Sequence, residues 1–147
     1  MHIPVSVPPP PAGSIQIERL APAIEASWDD RTAYQGVTKP GNPAFGQCYP
    51  TSRVVQWYFP EFEIACGDVW TGLSLECHFW NVRGSGEDLE KIDLTWSQFP
   101  SGSVVRRYEV LDRAKLGDSP ATVERCALLL ERVILNLVAQ NTRGGSR

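Results

Sequence analysis

Three residue types that together perform nucleophilic catalysis occur in this chain in the order Cys48, His78 and Asp93. Cys48 follows Gly46, which permits a tight turn, and precedes Pro50, which suits the first turn of a helix. A cysteine at a helix start lies at the positive end of the helix dipole, which lowers the thiol pKa. This pattern predicts a reactive nucleophile at Cys48. The alternative is a small buried residue, a common role for cysteine.

The general base is found by elimination, because the chain has only two histidines, His2 and His78. His2 lies in an N-terminal segment that we expect to be flexible. A histidine that activates Cys48 must then be His78.

A hairpin brings the third residue close. Strands over Leu73–Val82 and Leu89–Leu94, with Ser85-Gly86 at the tip, place His78 directly opposite Asp93 and Trp80 opposite Lys91. Directly opposed side chains share a face of the sheet, so Asp93 would orient the imidazole. A slip of one residue would move Asp93 to the other face and leave Asn81 or Glu76 to replace it.

An oxyanion hole is expected at the same helix start. The backbone N–H of Cys48 is one donor, and the side chains of Asn42 and Gln47 are two further candidates. Each amide has an alternative role in stabilising its loop. Trp80, Trp96 and Tyr49 are the aromatic residues that we expect to wall a substrate groove.

The other cysteines are weaker candidates. Cys77 neighbours His78 on a strand and points to the opposite face, Cys126 lies on the apolar face of the last helix, and Cys66 has no charged partner nearby in sequence. No pair has the Cys-x2-Cys spacing of structural zinc sites. We therefore expect no metal and no cofactor.

The composition limits the class of protein. The 147 residues are 42% hydrophobic and 21% charged, which is typical of one soluble globular domain. The formal net charge of −3 argues against nucleic acid as a partner. No apolar run approaches a membrane span, and the N-terminus lacks signal-peptide features. We expect a cytoplasmic protein with reduced thiols.

The elements follow from apolar periodicity and turn residues. Residues 1–14, with four consecutive prolines, are expected to form a flexible arm, residues 15–141 a single α+β domain, and residues 142–147 a flexible tail. The predicted helices cover Ile15–Trp28, Cys48–Phe59 and a long segment from Ser119-Pro120. Val104–Leu111 fits a strand or a helix.

The residues also resemble a known family. The blocks Asn42-Pro43-Ala44-Phe45-Gly46-Gln47-Cys48, His78-Phe79-Trp80-Asn81, Ile92-Asp93-Leu94-Thr95 and Gln98-Phe99 resemble the YunG-like family of small bacterial proteins, from about Ser27 to the last helix. The order Cys, His, Asp is similar to the papain-like superfamily in its wide sense, which includes NlpC/P60 peptidases and transglutaminases. The resemblance implies a papain-like core, in which the helix that carries Cys48 packs on a small antiparallel sheet.

The expected function is cysteine-dependent acyl transfer. Cys48 attacks an acyl carbon of a small-molecule or peptide substrate, His78 moves the proton and Asp93 orients His78. The acyl group then passes to water in a hydrolase or to an amine in an acyltransferase. The alternative is a papain-like binding module without turnover.

Overall fold

The computed structural model describes residue 3, residue 8, residues 10 and 11, and residues 13–145, with side chains up to residue 141. These residues form three α-helices and a four-stranded antiparallel sheet, so the predicted α+β class is confirmed. The elements are α1 (Ile17–Glu25), α2 (Cys48–Tyr58), β1 (Glu63–Trp70), β2 (Leu75–Arg83), β3 (Glu90–Ile92), β4 (Val104–Val110) and α3 (Pro120–Gly145). None of the helices in this part of the chain is both long and apolar enough to cross a membrane.

The sheet has the strand order β3-β2-β1-β4, with β1 and β2 in the centre. β4 is the strand at one edge, and all seven of its residues are exposed. The segment that fitted either a strand or a helix is therefore a strand. β3 is short, with only three residues, and it forms the other edge.

The register between β2 and β3 differs from the prediction by two residues. Asn81 pairs with Ile92 and Val82 pairs with Lys91. The predicted pairing of Trp80 with Lys91, and of His78 directly with Asp93, is therefore wrong. The connection keeps six residues, but its tip lies in a short helical turn over Gly86–Asp88 rather than at Ser85-Gly86, and this shifts the pairing. Because side chains alternate with a period of two, a two-residue shift keeps each residue on its predicted face.

The three helices share one hydrophobic core. Buried residues of all three contribute to it: Leu20, Ala23 and Ile24 of α1, Val54, Val55 and Tyr58 of α2, and Cys126, Leu129, Leu130, Val133 and Leu137 of α3. α2 lies between this core and the sheet. A smaller cluster of Ala65, Trp80 and Val82 lies within the sheet.

The two ends of the chain differ from the expected arm and tail where they are described. Ile3 is only 4% exposed and packs in the helical core. His2 and most of the arm expected over residues 1–14 lie outside the described residues. α3 begins at Pro120, after Ser119, whose hydroxyl accepts the N–H of Thr122 at 3.2 Å. It continues to Gly145, four residues past the predicted domain end at residue 141, and residues 146 and 147 lie outside the described part.

Candidate active site

A glycine turn delivers Cys48 to the first position of α2, as predicted. Gly46 has φ +78°, and a Cβ there would lie 3.3 Å from the carbonyl oxygen of Val37. Its own carbonyl accepts the N–H of Tyr34 at 2.9 Å. Only glycine combines this conformation with so close an approach of the neighbouring loop. The turn therefore fixes where the helix, and the cysteine on it, begins.

Gln47 is fully buried and binds the preceding loop. The hydroxyl of Thr32 donates to its Oε1 at 2.8 Å, and its Nε2 donates to the carbonyl oxygen of Asp29 at 2.9 Å. Both ends of the amide are thus directed at residues 29–32. Of the two roles considered for Gln47, this geometry fits that of a loop-stabilising amide.

The two asparagine candidates connect elements around the site. The Nδ2 of Asn42 donates to the carbonyl oxygen of Gln98 at 2.9 Å, which joins the loop before Cys48 to the segment after β3. The Nδ2 of Asn81, which is buried, donates to the carbonyl oxygen of Ser52 at 3.0 Å. This bond attaches α2 to β2. Each amide nitrogen is engaged with a backbone carbonyl.

Burial dominates the electrostatics of Cys48. Removal from water raises the pKa of its thiol to about 11, and the neighbouring Cys77 and Asp93 act in the same direction. The backbone N–H groups of Phe79 and Tyr49 favour the thiolate but do not compensate. The predicted lowering of this pKa by the helix start is therefore wrong, because the cost of desolvating the charge is larger.

The early end of β3 makes room for the thiol. The β2–β3 ladder stops at the pair Asn81–Ile92. Phe79, which lies two residues before Asn81 on β2, therefore has no β3 partner. Alternate residues of a strand direct their N–H groups to the same side. The N–H of Phe79 therefore points to the edge that β3 has left, and it hydrogen-bonds to the thiol of Cys48. The thiol occupies the position where a longer β3 would continue.

His78 and Asp93 are brought together. The Nε2 of His78 lies 2.8 Å from the Oδ2 of Asp93, and the imidazole is completely buried. The second carboxylate oxygen of Asp93 accepts the N–H of Thr95 at 3.3 Å. Asp93 follows β3 rather than belonging to it, so it reaches His78 from the segment that leaves the sheet.

Aromatic rings enclose the imidazole. Trp80 stacks on it with a centroid distance of 5.4 Å, Phe99 meets it edge-on at 4.9 Å, and Trp96 lies at 5.8 Å. Three aromatic neighbours exclude water, which strengthens the hydrogen bond between His78 and Asp93. The role of Phe99 was not predicted, although it lies in the Gln98-Phe99 block.

The second ring nitrogen of His78, Nδ1, is buried and has no hydrogen-bond partner among the described residues. The thiol of Cys48 is therefore not hydrogen-bonded to it. Phe79 and Asn81 contact α2, so alternation directs His78 and Trp80 to the other face of β2. The connection between thiol and imidazole is the peptide group that joins His78 to Phe79, whose N–H is directed at Cys48.

The predicted groove residues do not form a common wall. Trp80 is buried and covers Gly67, where a Cβ would lie 2.7 Å from the Trp80 ring. Tyr49 packs edge-on against Phe79 and hydrogen-bonds to Asp118. Trp96 contacts His78 and is half-buried. Trp80 and Trp96 therefore lie on the His78 side of β2, whereas Tyr49 lies on the side that faces α2.

Two cavities lie away from these residues. One of about 630 Å³ is lined by the loop of residues 30–36 and the first turns of α3. Another of about 320 Å³ lies between Trp28 and Arg132. Across the described residues, no three His, Cys, Asp or Glu side chains are grouped so that they could hold a metal ion.

One feature of the site could not be read from residue types. The N–H of Phe79 is a backbone group, and its availability depends on where β3 ends. A second is the buried ion pair between Arg53 and Asp118, 3.2 Å apart, which joins α2 to the segment before α3. Only the opposite charges indicated this pair, because the partners are sixty-five positions apart in the sequence.

Comparison with known proteins gives a family but no activity. No curated protein and no solved structure matches the chain. The family described as YunG protein matches residues 16–138, which include α1, the sheet and most of α3. The chain therefore belongs to the YunG family.

Proposed function

We propose that this protein is a cysteine-dependent acyl-transfer enzyme in which Cys48, His78 and Asp93 form a papain-like triad. Cys48 is the nucleophile, His78 the general base and acid, and Asp93 the residue that orients His78. The substrate is an activated acyl compound, either a small molecule or a peptide. The acceptor is water in a hydrolase or an amine in an acyltransferase.

One observation carries the proposal. His78 is completely buried, its Nε2 is bound to Asp93, and its Nδ1 is without a partner. A buried polar atom without a partner is costly and requires an explanation. In a Cys-His-Asp triad, one ring nitrogen binds the carboxylate and the other must stay free to accept the proton of the nucleophile. The hydrogen bonds of His78 match that requirement.

The raised pKa of Cys48 determines the order of the steps. A thiol with a pKa of about 11 is protonated at neutral pH, so the nucleophile is not a preformed thiolate. Nδ1 of His78 takes the proton as the sulfur forms a bond to the acyl carbon. The resulting imidazolium is stabilised by Asp93 across the 2.8 Å contact. The proton then passes to the leaving group, and the acyl group stays on Cys48 as a thioester.

The helix start supplies the oxyanion donor in this mechanism. Backbone N–H groups in the first turn of a helix have no partners within the helix, and the N–H of Cys48 is one of them. Its position next to the sulfur suits an acyl oxygen that gains negative charge. The aromatic rings around His78 exclude water, which favours an amine as acceptor.

The second candidate is a binding module that keeps the fold without turnover. The observation in its favour is that Cys48 and the Nδ1 of His78 are not hydrogen-bonded, and that the two cavities lie elsewhere. Because His78 and α2 lie on opposite faces of β2, a rearrangement of His78 or of α2 is required before proton transfer. The two candidates differ in whether an acyl group ever becomes attached to Cys48.

Trapping the acyl-enzyme tests the proposal. The full chain is mixed with a panel of p-nitrophenyl esters and aryl thioesters, and the intact mass is measured over time. We expect one acyl group per chain, located on Cys48 by peptide mapping. Cys48→Ala should abolish the adduct, and His78→Gln and Asp93→Asn should each slow its formation at least 100-fold with the circular dichroism spectrum unchanged. Cys77→Ser, at an exposed thiol, is the matched control and should react as the wild type does.

Acylation that is no faster on Cys48 than on Cys77, or that survives in His78→Gln, would overturn the enzyme proposal and leave the binding module.

A further inference from the structure

Two further thiols lie side by side on the sheet, and one of them, Cys77, is close enough to Cys48 to influence its pKa. The sulfur atoms of Cys66 on β1 and Cys77 on β2 are 3.7 Å apart. Cys66 pairs with Phe79 and Cys77 pairs with Asp68, so the two cysteines are diagonal neighbours with one residue pair between them. Directly paired residues share a face, which places both thiols on the side of the sheet that also carries Phe79.

The two thiols differ in access. Cys77 is exposed to solvent, whereas Cys66 is half-buried. Burial and the neighbouring Cys77 raise the pKa of the Cys66 thiol to about 12, and the carboxylates of Glu109 and Asp68 act in the same direction. Cys77 is therefore the thiol that an oxidant in solution reaches first. The sulfur of Cys66 lies close enough to react with an oxidised Cys77.

We infer that Cys66 and Cys77 form a reversible dithiol–disulfide couple that reacts with small peroxides. This inference goes beyond the proposed function and does not depend on catalysis by Cys48. In the first step the sulfur of Cys77 attacks hydrogen peroxide, the O–O bond breaks, and Cys77 becomes a sulfenic acid while one water is released. In the second step the sulfur of Cys66 attacks the sulfur of Cys77, and hydroxide leaves with the proton of Cys66 as a second water. The two thiols lose two electrons and the peroxide gains them.

The register indicates that the disulfide is easily reduced. Diagonal neighbours on antiparallel strands have Cα atoms about 7–8 Å apart in a regular sheet. Relaxed disulfides need Cα atoms that are closer than about 7 Å. The two strands must therefore shift slightly when the bond closes, and strained, exposed disulfides are the labile ones. Dithiothreitol should reverse the reaction in the folded protein.

The sequence makes the experiment direct. No Lys or Arg lies between Arg53 and Arg83, so trypsin releases residues 54–83 as one peptide that contains Cys66 and Cys77 and neither Cys48 nor Cys126. The full chain is reduced, desalted and treated with hydrogen peroxide, and the free thiols are then blocked with iodoacetamide. We expect this peptide to carry no blocking group and to be two hydrogen atoms lighter than its reduced form. Cleavage after Glu76 should leave its two halves linked.

Variants separate this couple from other thiol chemistry. Cys48→Ser, which removes the proposed nucleophile, should still form the link, and a thiol count in denaturant should fall by two on oxidation. Cys66→Ser and Cys77→Ser should each lose the link, and exposed Cys77 should gain oxygen atoms when Cys66 is absent. A peptide 54–83 with two blocked thiols or with added oxygen in the wild type, or a link to Cys48, Cys126 or a second chain, would overturn the inference.

Discussion

The Nε2 of His78 lies 2.8 Å from the Oδ2 of Asp93, although the two residues do not face each other across the β2–β3 ladder. Asp93 comes directly after the last residue of β3, and continuing the ladder would place it opposite Trp80 rather than His78. The interaction therefore depends on how the chain leaves the sheet, and on the bond from the Thr95 N–H that holds the other carboxylate oxygen.

The tautomer of His78 is the first prediction. With Nε2 next to a carboxylate and Nδ1 unpartnered, the neutral ring should carry its proton on Nε2. Nitrogen-15 NMR on His2→Gln, which leaves one histidine, measures this without overlap. Asp93→Ala should produce a mixture of the two tautomers, whereas Asp93→Asn, which keeps an acceptor oxygen, should retain the Nε2–H form. A wild-type spectrum dominated by the Nδ1–H tautomer would contradict the assigned role of Nδ1 as base.

The pH profile of Cys48 alkylation is the second prediction. A raised pKa of about 11 predicts that iodoacetamide reacts slowly at neutral pH and about tenfold faster for each pH unit until the thiol ionises. Peptide mapping at each pH separates Cys48 from exposed Cys77, which serves as the internal reference. A profile for Cys48 that levels off near pH 7 would show a preformed thiolate, and the order of steps proposed above would then be wrong.

Alkaline destabilisation is the third prediction. The folded pKa of Cys48 is raised from 9.0 to about 11, so between these values the unfolded thiol has lost its proton while the folded thiol keeps it. Unfolding then releases a proton, and stability present below pH 9 is lost as the pH rises to about 11, on the order of 2 kcal/mol. Urea unfolding at pH 8 and pH 11 should show a smaller loss for Cys48→Ala than for the wild type. If both proteins lose the same free energy of unfolding between pH 8 and pH 11, the loss comes from groups other than Cys48.

The turn before Cys48 gives the fourth prediction. Gly46→Ala adds a Cβ at φ +78° that would lie 3.3 Å from the Val37 carbonyl oxygen and 3.4 Å from the Cβ of Ala33. Gly41→Ala, at φ +74° with nothing within 4 Å, imposes the same backbone strain without the contacts. We expect both to destabilise by about 1 kcal/mol from the backbone, and Gly46→Ala by roughly 1 kcal/mol more. Denaturant unfolding measures the difference, and equal effects would show that the loop is free to move away.

The buried amide of Gln47 gives the fifth prediction. Replacement by alanine leaves the Thr32 hydroxyl and the Asp29 carbonyl without their partner and removes a side chain that is completely buried. We expect Gln47→Ala to lower the free energy of unfolding by about 2–4 kcal/mol. Gln35→Ala, on an exposed residue of the same loop region, is the matched control and should change it by less than about 1 kcal/mol. If Gln47→Ala is as stable as the control, the amide does not hold the loop.

Local chemistry in the sequence was a good guide to the helix starts. Gly46 with Pro50, and Ser119 with Pro120, act within one or two turns of the chain, so their effect does not depend on the rest of the fold. Face alternation on β2 was equally predictable, and it survived an error of two residues in the register. That is why His78 and Asp93 still meet.

What the sequence left open depends on packing. The pKa of Cys48 is set by how deeply α2 is buried, and no local pattern reports that. The proximity of Cys66 and Cys77 requires the β1–β2 register, which the ten residues between them do not specify. Gln47 was balanced between two roles because a buried amide reads the same in sequence whichever partners it finds.

The three-residue length of β3 affects both the stability of the sheet and the position of the Cys48 thiol. Each further residue pair between β2 and β3 would add backbone hydrogen bonds to the sheet. The sheet is therefore less stable because β3 ends at Ile92. The N–H of Phe79, which a longer β3 would bind, binds the sulfur of Cys48 instead. Substitutions that extend β3 by two residues should therefore raise the free energy of unfolding and displace the Cys48 thiol from the edge of β2. The Cys48 thiol and a longer β3 would therefore compete for the same backbone N–H group of Phe79.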